Sequence, residues 1–472
     1  MLDIILSDQD SNPLYLQLYR AIRRLIMEGV VHHGDKLPSV RQLEQQLAIS
    51  KTPIETAYQM LIEEGYAASR PRSGLYVVNP AAGVQLETPI LPSAARVQFL
   101  SSNSTPAATV PLIDYDLLSV DEQSYPVRTW RAALNEALAS PINCLQQYGD
   151  PQGEYGLRVS LANYLRTSRG LACSPDQIVV GTGISHSIHL LSQLIGTTAA
   201  VVFEEGGIAQ VRTIFDRNGF RLIDVPLHDP AAIDAACKEH DARIVYVTPS
   251  HRPSGMPLPY AMKLQLLRWA GAAEQRYIIE DDYDGEFRYS GRTIPSLQGM
   301  DASGVVIYIG TFSKAISPAL RMNYLVLPEP LIETLRSHRH LLSCPSRLEQ
   351  MAMQWFIDHG HWYKQIRRMR LLYRRKRELL TRLVQQHLHP HAWIEGDKAG
   401  LHLELTVKTT SSADDLRALA EREGVRVYIS ASAPSPSSLG YPKVYLGYGG
   451  IRSSDMERGI MLLRQAWSSV LV

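Results

Sequence analysis

The sequence predicts a multidomain chain: an N-terminal winged helix-turn-helix, then an α/β large domain, then a smaller α+β domain at the C-terminus. Three observations predict it. Residues 13–78 read as three short helices followed by a hairpin, and from about residue 112 helical stretches alternate with short β-rich runs. Past about Pro345 a long basic helix precedes mixed strands and a last helix. At 472 residues the chain has room for two or three domains.

In the first helix, PLYLQLYRAIRRLIMEG carries Leu14, Leu18, Ile22, Leu25 and Ile26 at helical spacing, and Gly29 closes it. Ser39 is suited to cap SVRQLEQQLA, and Ser50 or Thr52 to cap TPIETAYQMLIEEG, whose buried stripe would be Ile54, Tyr58, Leu61 and Ile62. LAIS is the tight turn between helices two and three. YAASRPRSGLYVV alternates about a Ser-Gly turn, as a hairpin does. The expected boundaries are 1–79 for this domain, 80–111 for a linker rich in Pro, Ser, Thr and Ala, and 112–472 for the remainder, with the large part at about 125–340 and the small part at about 345–472. QIVVGTG, AAVVFEE, ARIVYVTPS, RYIIEDDYD and VVIYIGTFS are the expected strands of the large part.

Composition excludes several classes. Hydrophobic content of 45% with 20% charged residues is that of a globular chain, and a net charge of +1 gives no overall basic field. Cys144, Cys173, Cys237 and Cys344 show no metal-ligand or disulfide spacing, so reduced thiols, no metal and a cytoplasmic location are expected. The stretch MLDIILSDQDSNP has no cationic n-region followed by an apolar run and no later apolar stretch approaches bilayer length, so neither export nor a membrane partner is expected.

Residues 1–80 hold eight Lys+Arg against nine Asp+Glu, so nucleic-acid binding must rest on placement. Arg41 opens helix two, Lys51 and Thr52 open helix three, and Arg70 and Arg72 flank the wing. The outer face of helix three offers Lys51, Thr52, Glu55, Thr56 and Gln59 to base edges and phosphates. A helical interaction module with solvated charges would share the helix pattern. GDKLPSVRQLEQQLAISKTPIETAYQMLIEEGY with RPRSGLYVV, however, closely resembles the GntR-type winged helix. The resemblance implies operator DNA as partner, with Arg41, Lys51, Thr52, Thr56, Arg70 and Arg72 as contacts. Pro53 departs from the small polar residue usual there, and a proline is tolerated in a first helical turn.

The second half carries a different chemistry. VVGTGISHS is a glycine turn from strand to helix, suited to a phosphate, and Arg321 can add a charge-assisted contact. EDDYDGEF sets Tyr283 beside two carboxylates, and GTFSKAISPALR presents Lys314 at a strand exit. A phosphate cradle, an amine able to form an imine and a carboxylate next to a phenol are the parts that hold pyridoxal 5'-phosphate. Each alone is common in α/β proteins; in this order, each at a strand end, they reinforce one another.

YGDPQGEYGLRVSLANYL, GTG, TPSHRPSG, EDDYDGEF and GTFSKAISPALR together resemble the fold-type I aminotransferase domain over almost all of residues 112–472. Joined to a GntR-type front end, they resemble the MocR family of bacterial transcriptional regulators. By that resemblance Lys314 is the Schiff-base lysine, Arg321 a phosphate ligand, Asp281 the partner of the pyridine nitrogen with Asp282 still open, and Tyr283 the partner of the ring oxygen. Gly183 and Ser185 fall in the phosphate turn, Thr311 and Ser313 stand beside the lysine, and Tyr148 matches a tyrosine that reaches the neighbouring subunit's phosphate. The resemblance thus implies a homodimer, whose linkers permit domain swapping, and a small-molecule amine or vitamin B6 effector.

Departures bear on whether such a domain turns over substrate. His251, Arg252 and Pro253 replace an asparagine-proline pair, Ile208 stands where a stacking aromatic is usual, and neither Lys443 nor Arg452 sits at the position of the carboxylate-binding arginine. For Lys443 the simpler expectation is a solvated lysine on a buried strand. The expectation is a regulator that senses pyridoxal phosphate, or an amino compound joined to it, with at most weak or half transamination. The alternative is a pyridoxal-phosphate-dependent aminotransferase with an appended DNA-binding domain.

Overall fold

The computed structural model describes residues 12–70, 73–78, 113–196, 199–204, 208–225, 230–249, 257–289, 295–395, 400–429 and 440–472. Arg72, the expected linker 80–111, and His251, Arg252 and Pro253 lie outside the described residues. The chain divides into two compact units, Met1–Thr105 and Pro106–Val472.

The first unit is built on α1 (Leu14–Met27), α2 (Val40–Leu47) and α3 (Lys51–Glu63). Gly29, at φ +71°, takes the left-handed conformation that ends α1. Ser39 and Gln42 form a reciprocal capping box at the start of α2, an arrangement worth about 1 kcal/mol. Between α2 and α3 the chain turns through Ala48 at φ +52°. Ser50 occupies the cap position of α3 without a side-chain bond, and Thr52 lies inside the helix. Ile54, Ala57, Tyr58 and Leu61 are buried with Leu18, Ile22, Ile26 and Leu43, whereas Ile62, expected in the stripe, is half-buried at its edge. The Tyr58 hydroxyl donates to Pro38 O at 2.6 Å and fixes α3 against the entry to α2.

The wing pairs β1 (Ala67–Arg70) with β2 (Gly74–Val77) in antiparallel register. Gly74 is already paired, opposite Arg70, so the turn precedes it and does not centre on Ser-Gly. The segment before α2 adds a third rung, with Leu37 N donating to Leu75 O and Val77 N to Asp35 O.

The second unit has β3 (Ile113–Asp114) as its first described element. Its seven-stranded sheet comprises β4 (Ile178–Gly181), β5 (Ala200–Glu204), β6 (Arg221–Val225), β7 (Ala242–Val247), β8 (Tyr277–Asp281), β9 (Val306–Thr311) and β10 (Asn323–Val326). Their spatial order is β4-β10-β9-β8-β7-β5-β6. The five expected strands are β4, β5, β7, β8 and β9. Strand β6 escaped the sequence pattern because Arg221 and Asp224 interrupt it. The sheet is mixed: β10 runs antiparallel to both neighbours, because a short turn at Pro318–Leu320 returns the chain directly from β9 without the crossover that a parallel strand needs. Residues such as Val201 and Phe203 face one core and Val202 and Val245 the other, which explains why these strands read as unbroken apolar runs.

The C-terminal part holds an antiparallel sheet of β11 (Ala392–Glu395), β12 (His402–Val407) and β14 (Lys443–Gly447), while β13 (Val425–Arg426) pairs parallel with β3. The expected long basic helix spans His361–His387. Among the described residues no helix is long and apolar enough to cross a membrane.

Candidate functional site

In the first unit the outer face of α3 is open. Lys51, Thr52, Glu55, Thr56 and Gln59 are all exposed, as are Arg41 on α2 and Arg70 on the wing. Lys51 Nζ lies 2.9 Å from Glu55, so the lysine is held along the helix, and that hydrogen bond raises its pKa. The Thr56 hydroxyl donates back to Thr52 O at 3.0 Å, leaving its oxygen able to accept. The Arg70 guanidinium lies over the Tyr76 ring, 4.4 Å from its centroid, which stiffens a cation at the wing's edge. Pro53 sits in the first turn of α3 and does not disturb the helix.

In the second unit the sheet gathers the motifs at one end of its strands. Asn323, at the start of β10, pairs with Gly181 at the end of β4 on one side and Thr311 at the end of β9 on the other, and Asp281 ends β8 opposite Ile309. Gly183 after β4, Asp281 at the end of β8, and Lys314 and Arg321 in the one connection from β9 to β10 therefore come from three chain segments to one end of the sheet, where ligands of open α/β sheets are held.

Gly183 precedes the helix Ile184–Ile195 with φ +120°, a conformation open to glycine. Its N–H donates to Asn323 Oδ1 at 2.9 Å, and Asn323 Nδ2 donates to Ser187 Oγ at 2.8 Å, so Asn323 locks the glycine turn. Sequence reasoning missed Asn323. Arg321, in the left-handed conformation at φ +48°, brings Nη2 to 2.7 Å from where a Gly183 Cβ would stand. Ser185 Oγ accepts from Gln210 Nε2 at 2.6 Å. Thr311 Oγ1 donates to Ser313 Oγ at 3.0 Å and accepts from Ser313 N at 3.1 Å, which shapes the loop carrying the lysine.

Lys314 is 9% exposed, and its Nζ donates to Leu118 O at 2.7 Å. Asp281, 3% exposed, accepts from the Tyr246 hydroxyl at 2.5 Å, a support on β7 that carried no sequence signal. Asp282 is committed elsewhere: it pairs with the Arg169 guanidinium and accepts from Tyr308 at 2.6 Å. Burial works against the charge of Arg169, but the Asp282 carboxylate holds its pKa well above the usual value. Burial raises Glu286, beside this network, to about 7, with the Asp282 charge adding to the effect. Tyr283 is half-buried at the same strand end, and Tyr148 is fully exposed on the single chain.

The departures resolve into structural roles where they are described. Ile208 stands just before the helix Ala209–Arg217, with no side-chain cap bond, and packs half-buried on the core. Lys443 corrects the expectation of a solvated side chain: its Nζ lies 2.6 Å from the buried Glu404, whose charge needs a counter-ion. Arg452 pairs with Glu122 at 2.5 Å.

This arrangement of a winged helix ahead of an amine, a buried carboxylate and an anion cradle defines a regulator whose second half is an aminotransferase-type cofactor domain. Residues 14–77 match the family model described as bacterial regulatory proteins, gntR family, and residues 115–436 match aminotransferase class I and II. The chain is 37% identical to the uncharacterized HTH-type transcriptional regulator YdeL of Bacillus subtilis, over 96% of this chain and 97% of that one. It is 30% identical to the probable rhizopine catabolism regulatory protein MocR of Rhizobium meliloti, over 98% of this chain and 96% of that one. The kynurenine aminotransferase of Pyrococcus horikoshii shares its fold with a TM-score of 0.68 at 21% identity, over 76% of this chain and 92% of that one.

The chain belongs to the MocR family of transcriptional regulators, with a GntR-type DNA-binding domain and an aminotransferase class I and II domain. It binds DNA through the former, and the cofactor of the latter is pyridoxal phosphate. The residues present fit that cofactor. A shielded amine, a carboxylate held at 3% exposure, and a helix N-terminus with a glycine pressed against an arginine supply one partner each for an aldehyde, a ring nitrogen and a phosphate.

Proposed function

We propose that this chain is a pyridoxal-phosphate-responsive regulator in which occupancy of the second unit changes how the first engages operator DNA. Bound, the cofactor supplies an aldehyde that captures amines and a ring that withdraws electrons. In this reading Lys314 is the amine that binds the aldehyde, and its bond to Leu118 O keeps it aimed before the cofactor arrives. Asp281, oriented by Tyr246, holds the proton on the ring nitrogen, while Asp282 is spent on Arg169. Tyr283 faces the ring oxygen. Gly183, Ser185 and Arg321 hold the phosphate, with Ser313 shaping the lysine loop. Tyr148, fully exposed here, completes the site of a second copy in a homodimer.

Arg41, Lys51, Thr52, Thr56 and Arg70, with Arg72, contact the duplex. The working division is 1–79 for DNA, 80–111 as a linker that permits swapping across the dimer, and 112–472 for the cofactor, in a cytoplasmic protein. The effector is a small amine or a B6 vitamer. The buried Glu404 that holds Lys443 supports sensing over turnover, because it takes up a cation that could hold a substrate carboxylate.

The observation that supports the reading is that the segments carrying Lys314, Asp281, Gly183 and Arg321 leave the sheet at the same end. Titrating the full chain with pyridoxal phosphate is expected to produce a near-visible absorbance band that Lys314→Ala lacks. Equal spectra for the two proteins would remove the cofactor site from Lys314.

A further inference from the structure

The helix His361–His387 carries nine Lys and Arg residues against one acid, Glu378, in a chain whose net charge is +1. One of the nine is structural: Lys376 is buried and pairs with Asp121 at 2.6 Å. Lys364, Arg367, Arg368, Arg374, Arg375 and Arg382 are exposed, and among the described residues none of the six is in an ion pair. At 100° per residue they fall within an arc of about 120°, on a stripe roughly 27 Å long. The opposite face is committed to the core through Trp362, Ile366, Met369, Tyr373, Leu380 and Leu383.

A solvated helix face ordinarily mixes both signs. On this one six exposed cations meet a single exposed acid, Glu378, which falls inside the same arc, so most of its repulsion is uncompensated unless an anion covers it. The DNA-binding half, by contrast, is nearly neutral: residues 1–80 hold eight cations and nine acids. Sequence-independent attraction to a duplex scales with the number of phosphates that cations neutralise, so the few cations placed at the DNA face of the first unit, Arg41, Lys51 and Arg70 among the described residues, supply a limited share of it. Over about 27 Å a duplex presents roughly 16 phosphate charges, a match in length and sign for the stripe. A bilayer fits less well, since most of the helix's large apolar residues are turned inward and unavailable for insertion.

We propose that the exposed basic face of His361–His387 is a second, sequence-independent contact surface for duplex DNA, engaging phosphates outside the segment read by the winged helix. The contact supplies affinity and salt dependence, and the winged helix supplies sequence.

The test uses the full chain with its cofactor and two random-sequence duplexes, one of 60 and one of 15 base pairs (about 200 Å and 50 Å at roughly 3.4 Å per pair), titrated across salt concentrations. Replacing Arg367, Arg368, Arg374 and Arg375 together by Gln is expected to weaken binding of the long duplex at least tenfold at low salt. The slope of log affinity against log salt should fall by about 3 to 4. Replacing the same four by Lys should restore both. The cofactor absorbance band of each variant reports that the second unit is folded. Lys51→Ala should instead reduce binding of both duplexes, which separates the stripe from the winged helix. An unchanged slope in the Gln variant would overturn the proposal, as would loss of binding to phosphatidylglycerol vesicles with DNA binding intact.

Discussion

The guanidinium of Arg321 lies so close to Gly183 that a Cβ on the glycine would stand 2.7 Å from Nη2. The glycine is required twice over, by this approach and by its φ of +120°. Gly183→Ala is expected to push Arg321 away and strain the turn, at a cost of about 1–3 kcal/mol. Pyridoxal phosphate affinity should fall about tenfold or more, measured by absorbance titration, with DNA binding by the first unit retained.

Asp281 and Asp282 are neighbours with opposite fates, and isosteric substitution separates them. Asp281→Asn keeps the shape of the side chain and an oxygen that can accept from Tyr246, so it should cost little thermal stability while weakening the cofactor band. Asp282→Asn removes the counter-ion of the buried Arg169 and should cost about 3–5 kcal/mol of stability. Spectra and melting curves of the two variants side by side decide between these assignments.

Glu286 makes stability depend on pH. Its carboxyl titrates near 7 in the folded chain against an ordinary value of 4.5. Between those values the unfolded chain has released a proton that the folded chain keeps, so the Glu286 contribution falls as pH rises from about 4.5 to 7 and is level above. In Glu286→Gln the side chain stays neutral throughout. The loss of melting temperature between pH 5 and pH 8 is expected to be smaller in this variant than in the parent.

Lys51 and Arg41 are exposed cations at the starts of α3 and α2. Replacing either by Ala should reduce the salt slope of DNA binding by about one and leave the cofactor band intact. The Lys51 effect is expected to be the smaller, because Glu55 already neutralises part of its charge. Salt titrations of the two single variants check this order.

Local chemistry was legible where a residue type is forced by backbone or cofactor. Ser39 as a cap, Gly29 as a helix stop, the glycine turn before Ile184 and the lysine after Ser313 all announce themselves in sequence. What stayed hidden depends on strands meeting. Asn323 and Tyr246 are ordinary residues in their own segments and acquire roles only because β10 returns between β4 and β9 and β7 lies beside β8. The same holds for Lys443, whose partner Glu404 is 39 positions away. The different partners of Asp281 and Asp282 were hidden in the same way, since Arg169, which pairs with Asp282, comes from another helix.

The central claim is that cofactor and DNA are coupled, and by linkage the coupling is reciprocal. The direct measurement is the affinity of the full chain for a duplex it selects from a random pool, taken with and without pyridoxal phosphate and an amine, in the parent and in Lys314→Ala. The account expects affinity or duplex bending to change with the ligand by about fivefold or more in the parent, and to be indifferent to it in Lys314→Ala. Identical affinity and bending of the parent under all conditions would contradict it.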